Sequence, residues 1–149
     1  MLGAVNRQLH TASLADRFAT LFYGVFDAAT YTLRYANAGH PAPLVIRRDG
    51  SVAGLETGGL PLGLFANSTY EEGRLHLHPG DAVIAYTDGA FEATDPSGEE
   101  WGVEGIRKAA VESKAQHADQ FRDAIFAALD EFSRGRQSDD ATVVVLLVH

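Results

Sequence analysis

The 149 residues contain no cysteine, a single methionine and a single tryptophan. Without thiols there is no disulfide staple, no zinc–thiolate centre and no cysteine nucleophile. Basic residues are also sparse: twelve Lys and Arg stand against twenty Asp and Glu, a net charge of -8. That balance opposes a nucleic-acid partner, because phosphate backbones are held by clustered Lys and Arg, and pairs such as Arg47-Arg48 are isolated in the sequence. No apolar run reaches membrane-spanning length, and no basic segment leads into an apolar stretch with a cleavage site. No membrane role is therefore expected, and the cytoplasm is the expected location. An acidic surplus can reflect carboxylates gathered around cations or a solvated acidic surface, and composition does not separate the two.

What is present suits one compact core. With 46% hydrophobic residues over 149 positions, residues 1–149 read as a single domain. Leu2, Val5 and Leu9 recur at helical spacing with nothing ahead of them to cap a helix, so the chain is read as starting inside one. The run Phe18 to Phe26 (FATLFYGVF) and the run Tyr31 to Ala38 flank Asp27-Ala28-Ala29-Thr30 and predict a hairpin. A second hairpin is expected from Pro43–Ile46 and Val52–Leu55 around the turn dipeptide Asp49-Gly50. The Gly- and Pro-containing stretch Thr57 to Phe65 reads as a loop.

Beyond it, Leu75–His78 and Ala82–Tyr86 predict strands on either side of Pro79-Gly80-Asp81, and Thr87-Asp88-Gly89 stops the second. Helices are expected over Glu104–Ala115 and Asp119–Arg134, with Asp119 as N-cap and Gly135 as stop. The final run, Thr142 to Val148 (TVVVLLV), is apolar on both alternating faces and, like FATLFYGVF, predicts a strand covered above and below. Such strands at hairpin spacing point to an α+β fold, a four-layer α-β-β-α sandwich of two antiparallel sheets.

Two carboxylates stand where the expected strands end. Asp88 follows an apolar strand and precedes a glycine, and Asp139 precedes the last strand. At neighbouring strand ends they could share a hard cation such as Mg²⁺ or Mn²⁺, which takes oxygen ligands; equally, both suit turn or cap positions. His76 and His78 alternate on one strand but lack a third ligand and read as solvent-facing. Asp27, Asp49 and Asp81 sit in turns, and Trp101 reads as a core anchor.

Several segments occur together and in order: Phe18-Ala19-Thr20-Leu21-Phe22-Tyr23-Gly24, Tyr35-Ala36-Asn37-Ala38-Gly39-His40-Pro41, Gly59-Leu60-Pro61-Leu62-Gly63, Pro79-Gly80-Asp81, Tyr86-Thr87-Asp88-Gly89 with Glu92-Ala93, and Asp139-Asp140-Ala141-Thr142. The chain resembles the PPM-type metal-dependent serine/threonine phosphatases, in their SpoIIE-like bacterial branch. The resemblance implies the α-β-β-α sandwich, a site for two Mg²⁺ or Mn²⁺ ions at one end of the sheets, and a metal-bridging water as nucleophile with no catalytic side chain beyond it. It makes Asp88 and Asp139 metal ligands. Asp140, where many relatives carry Asn, then supports them, with Gly89, His40 and Glu92 as further rim candidates, although the His40 turn equally suits a structural role and Glu92 that of an exposed loop acid. The implied substrate is a phosphorylated regulatory protein of the anti-sigma-factor-antagonist type.

The family's Asp-x-x-Gly-His-Gly element, whose aspartate bridges both metals, is absent from the 149 residues. The expectation is therefore the C-terminal part of the domain, lacking its N-terminal strands and helix, binding at most one ion and weakly active or inactive alone. Exposed sheet edges would favour a homodimer. The other reading is a non-catalytic phosphatase-like interaction module.

Overall fold

The computed structural model describes residues 1–12, 17–136 and 139–149. In chain order the elements are α1 (Leu2–Ala12), β1 (Leu21–Asp27), β2 (Thr32–Ala38), β3 (Leu44–Ile46), β4 (Val52–Gly54), β5 (Gly58–Gly59), β6 (Gly73–His76), β7 (Ala82–Tyr86), α2 (Asp88–Phe91), α3 (Gly102–Glu112), α4 (Ala118–Ser133) and β8 (Val143–Leu147). They fall into two compact units, Met1–Ala42 with Leu55–Leu77 and Pro43–Gly54 with His78–His149. The fold class is α+β, with one sheet in each unit.

In the first unit β2 is the central strand. β1 pairs along one edge of it in a hairpin, from Leu21↔Ala38 to Asp27↔Thr32. The turn closes where Asp27 Oδ1 accepts the Ala29 N–H at 2.9 Å, the side-chain turn expected of Asp in that position. Along its other edge β2 pairs antiparallel with β6 and, at Asn37–Ala38, parallel with the two-residue β5. The predicted loop thus carries a short strand, and the sheet is not wholly antiparallel. Only glycine fits at position 58, where a Cβ would stand 1.8 Å from the Asn37 carbonyl oxygen. Helix α1 buries Leu2 and Asn6, whereas Val5, on the stripe read from the sequence, is exposed.

The second unit holds an antiparallel sheet in the order β4-β3-β7-β8. Strand alternation sends Ala82, Ile84 and Tyr86 of β7 into a core shared with Leu44 and Ile46 of β3, Ile106 and Ala110 of α3, and Phe121 and Ile125 of α4. Phe121, Ile125 and Leu129 recur four residues apart and are buried, as the sequence pattern requires. Each fully buried side chain of this size contributes about 1.5–3 kcal/mol. Trp101 packs near Phe132, ring centres 6.5 Å apart, on the margin of the same core.

Two expectations need correction. β8 is the last strand of its sheet, with Val144 61% and Leu146 42% exposed, so TVVVLLV is not covered on both faces. Val143, Val145 and Leu147 pack on the core, and Val148 is buried just past the strand end. FATLFYGVF likewise leaves Phe18, Tyr23 and Val25 exposed. An apolar run shows what a strand tolerates, not how many neighbours it has. The α4 N-cap is also His117 rather than Asp119. Asp119 lies in the first turn, where a carboxylate still meets the positive end of the helix dipole.

Asp81, read as a turn residue, is buried at the start of β7. Its carboxylate accepts hydrogen bonds from the Arg47 guanidinium at 2.6 Å, His78 N–H at 2.9 Å and Arg48 N–H at 3.2 Å. Burial pushes this carboxyl up, but the bonds from His78, Arg47 and Arg48 together outweigh it and hold it below the usual carboxylate range. A depressed folded pKa contributes stability above the unfolded value of about 3.9 that is lost as pH falls through the folded one. Asp81→Ala is expected to cost on the order of 2–3 kcal/mol in urea unfolding at pH 7. Asp81→Asn should lose less stability than the unsubstituted chain between pH 5 and pH 2; parallel pH profiles would contradict the assignment.

Candidate metal centre

β7 and β8 pair from Ala82↔Leu147 to Tyr86↔Val143, and the pairing continues one residue past both strands. Thr87 N–H donates to the Thr142 carbonyl at 3.1 Å, and Thr142 N–H donates to the Thr87 hydroxyl oxygen at 2.9 Å. Thr87 is extended (φ -93°, ψ 167°), and the chain then turns sharply into the four-residue α2. Gly89 in that turn lies directly against the other segment, since a Cβ there would stand 2.4 Å from the Asp140 carbonyl oxygen. Thr87-Asp88-Gly89 and Asp139-Asp140-Ala141-Thr142 are therefore one stitched unit, because antiparallel register carries both strand ends to the same rim.

Asp88 follows Thr87 directly and Asp139 stands three residues before Thr142, and both are exposed to solvent. Asp88 Oδ1 accepts the Gly89 N–H at 3.0 Å, and Asp139 Oδ1 accepts the Asp140 N–H at 2.7 Å. Each carboxylate is thus oriented by its own turn through one oxygen. Asp140 contributes mainly through its backbone, its carbonyl facing Gly89 and its N–H holding Asp139. Glu92 is exposed, and its backbone N–H, not its carboxylate, reaches back to the Asp88 carbonyl at 2.9 Å. His40 belongs to the first unit. There its N–H donates to Asn37 Oδ1 at 2.8 Å, its carbonyl accepts from Asn37 Nδ2 at 2.8 Å, and its Nδ1 lies 3.4 Å from the Thr20 hydroxyl.

Exposed carboxylates anchored by single N–H donors are hard oxygen ligands suited to Mg²⁺ or Mn²⁺, and two of them suit one ion that keeps most of its waters. Among the described residues no group of three or more His, Asp or Glu side chains gathers to hold a metal. The carboxylates of Asp88 and Asp139 thus have the donor chemistry of part of a dication shell. His76 and His78 are both exposed and belong to no such group. Thr87 and Thr142 lie within the motifs read from the sequence, but the hydrogen bonds by which they make the stitch were not read there. Their placement in the two acidic motifs was the available signal.

The family model of stage II sporulation protein E (SpoIIE) matches residues 1–149. The chain belongs to the SpoIIE family. This SpoIIE-family chain is similar to protein IcfG of Synechocystis, 31% identical over 132 residues that make up 87% of this chain and 20% of that protein. It is also similar to the phosphoserine phosphatase RsbU of Bacillus subtilis, 27% identical over 147 residues, 98% of this chain and 44% of RsbU. It spans less than half the length of either relative. Among solved structures, the PP2C phosphatase domain of Bacillus subtilis SpoIIE with a fragment of its regulatory domain matches with TM-score 0.78 and 23% identity, over 95% of this chain and 42% of that one. The SiaA-PP2C domain of Pseudomonas aeruginosa matches with TM-score 0.78 and 20% identity, over 98% of this chain and 58% of that one. These structures place the chain in the PP2C phosphatase fold, the class expected from its sequence.

The Gly89–Asp140 approach yields a direct test. Gly89→Ala should destabilise the chain by about 1–3 kcal/mol in urea unfolding, the usual cost of forcing a methyl into a close contact. A neutral Gly89→Ala would show that the two acidic segments do not touch.

Proposed function

We propose that this chain forms the C-terminal, metal-binding part of a Mg²⁺- or Mn²⁺-dependent protein phosphatase domain that removes phosphate from phosphoserine or phosphothreonine in bacterial signalling. The observation that carries the reading is the Thr87–Thr142 stitch, which brings the two acidic motifs of the family to one rim. Dications, when bound, neutralise phosphoryl oxygens and acidify water, and so supply the chemistry that no side chain here provides. Asp88 and Asp139 serve as ligands; Gly89 and Asp140 set their spacing; Glu92 is a rim residue.

RsbU and RsbP, both of Bacillus subtilis, are each named phosphoserine phosphatases, which supports a phosphoserine protein as substrate. A regulatory protein of the anti-sigma-factor-antagonist type is the substrate class we favour. No helix among the described residues is long and apolar enough to cross a membrane, in keeping with a cytoplasmic substrate. The 149 residues act as one domain in this reading. The free edge of β8, with Val144 and Leu146 exposed and no charged residue from Val143 to Leu147, suits strand pairing in a homodimer. A second reading, a phosphatase-like interaction module, is favoured by the absence of a third ligating side chain among the described residues.

Assayed with Mn²⁺ on a phosphoserine protein, the chain alone should release phosphate far more slowly than a complete relative. Asp88→Asn and Asp139→Asn should each reduce what turnover there is by at least about tenfold, or 1.4 kcal/mol of barrier. Turnover equal to the complete relative would contradict partial-site activity. Turnover indifferent to both substitutions would contradict the metal assignment, and none at all even when the missing segment is supplied would favour the module. In light scattering a dimer is expected, and Val144→Lys should shift it toward monomer.

A further inference from the structure

Asn6 is an asparagine with no solvent exposure, on the helix α1 that the function proposed above does not use. Burying an amide is costly unless its hydrogen-bonding capacity is met, and here it is met wholly by one loop. Nδ2 donates to the Phe65 carbonyl at 2.9 Å and the Ala66 carbonyl at 3.2 Å, while Oδ1 accepts from Gly63 N–H at 2.8 Å and the Tyr70 hydroxyl at 3.1 Å. Two further contacts reinforce the same seat. His10 Nδ1 lies 2.8 Å from the Gly63 carbonyl oxygen, and Leu9 closes on Gly63, where a Cβ would stand 3.1 Å from its side chain. Gly63 has φ +86°, a conformation that glycine alone adopts without strain.

The loop held in this way continues to His40 by two routes. Leu62 exchanges backbone hydrogen bonds with Ala19 at 2.9 and 2.8 Å, and the next residue, Thr20, places its hydroxyl 3.4 Å from His40 Nδ1. Pro61 lies flat against Gly39, where a Cβ would stand 2.4 Å from the proline ring and φ is +74°. Asn37 fixes the His40 main chain from β2, so what the loop adds is the setting of Gly39 and of the imidazole.

We propose that Asn6 is a positioning residue for His40: by clamping Gly63, Phe65, Ala66 and Tyr70, α1 fixes the Gly59–Gly63 loop and thereby the imidazole at the end of β2. A displacement of α1 would break four hydrogen bonds at one side chain and release both routes together. Any consequence for turnover rests on the function proposed above. The coupling itself is a property of the chain without substrate or metal, so the two can fail separately.

The test is nuclear magnetic resonance on the 149-residue chain, following the ring nitrogens of His40 and amide exchange at Gly63. Asn6→Ala should speed Gly63 exchange by at least about tenfold, the effect of losing more than one net hydrogen bond, and shift the His40 ring signals while those of His76 and His78 stay. Thr20→Val should shift the His40 ring but leave Gly63 exchange unchanged, which orders the links. Leu2→Ala, which removes a buried side chain of the same helix with no bond to the loop, should lower global stability without moving His40. Should Asn6→Ala not fold, Tyr70→Phe, which deletes one of the four bonds, should shift His40 in the same direction by less. Faster Gly63 exchange with a stationary His40, or an equal shift in Leu2→Ala, would overturn the proposal.

Discussion

The register between β7 and β8 governs what the acidic rim can do. Antiparallel pairing at Tyr86↔Val143 leaves Thr87 opposite Thr142, and their two hydrogen bonds carry the ladder past the end of the sheet. One residue further on in one chain direction and three earlier in the other stand Asp88 and Asp139. A slip of one residue would separate the two motifs and exchange Val143, Val145 and Leu147 for Val144 and Leu146 on the core face. Because β8 is apolar on both faces, its pattern alone does not fix the register, and the Thr87–Thr142 hydrogen bonds hold it at the end that carries the acidic motifs. At the other end of β7 the buried Asp81 carboxylate ties β7 to the β3 end through Arg47 and Arg48, and its backbone bonds to Val148.

In the first unit two buried amides work beside apolar residues such as Leu33, Leu55, Leu62 and Leu77. Asn6 and Asn37 are both buried, and each satisfies its amide on loop backbone rather than on a strand ladder. Such bonds are directional. They fix a loop at one setting where hydrophobic contact would leave several of similar energy. Glycines at 39, 58 and 63 let the segments close to that setting, at positions where any side chain would meet neighbouring atoms.

Much of this was legible in the sequence because it rests on local chemistry. Asp27 and Asp49 each accept the N–H two residues on and turn their hairpins, and the four-residue apolar repeat of α4 marks its buried face. The ordered motifs disclosed the family and located Asp88 and Asp139. What the sequence did not disclose depends on distant partners. Asn6 lies 57 residues from Gly63, and Asp81 lies 34 from Arg47. Hydrophobic periodicity is blind to a buried amide, and it gave α1 the stripe through Val5 that is in fact exposed. The same blindness in reverse made β8 a covered strand, because three valines and two leucines in a row say nothing about what lies beside them.

The proposed function requires Asp88 and Asp139, carried at the β7–β8 end, to bind a dication together. Calorimetric titration of the chain with Mn²⁺ tests it most directly. One weak binding event, abolished in Asp139→Asn and in Asp88→Asn alike, is the predicted result. Two tight sites, or a single site indifferent to either substitution, would contradict it.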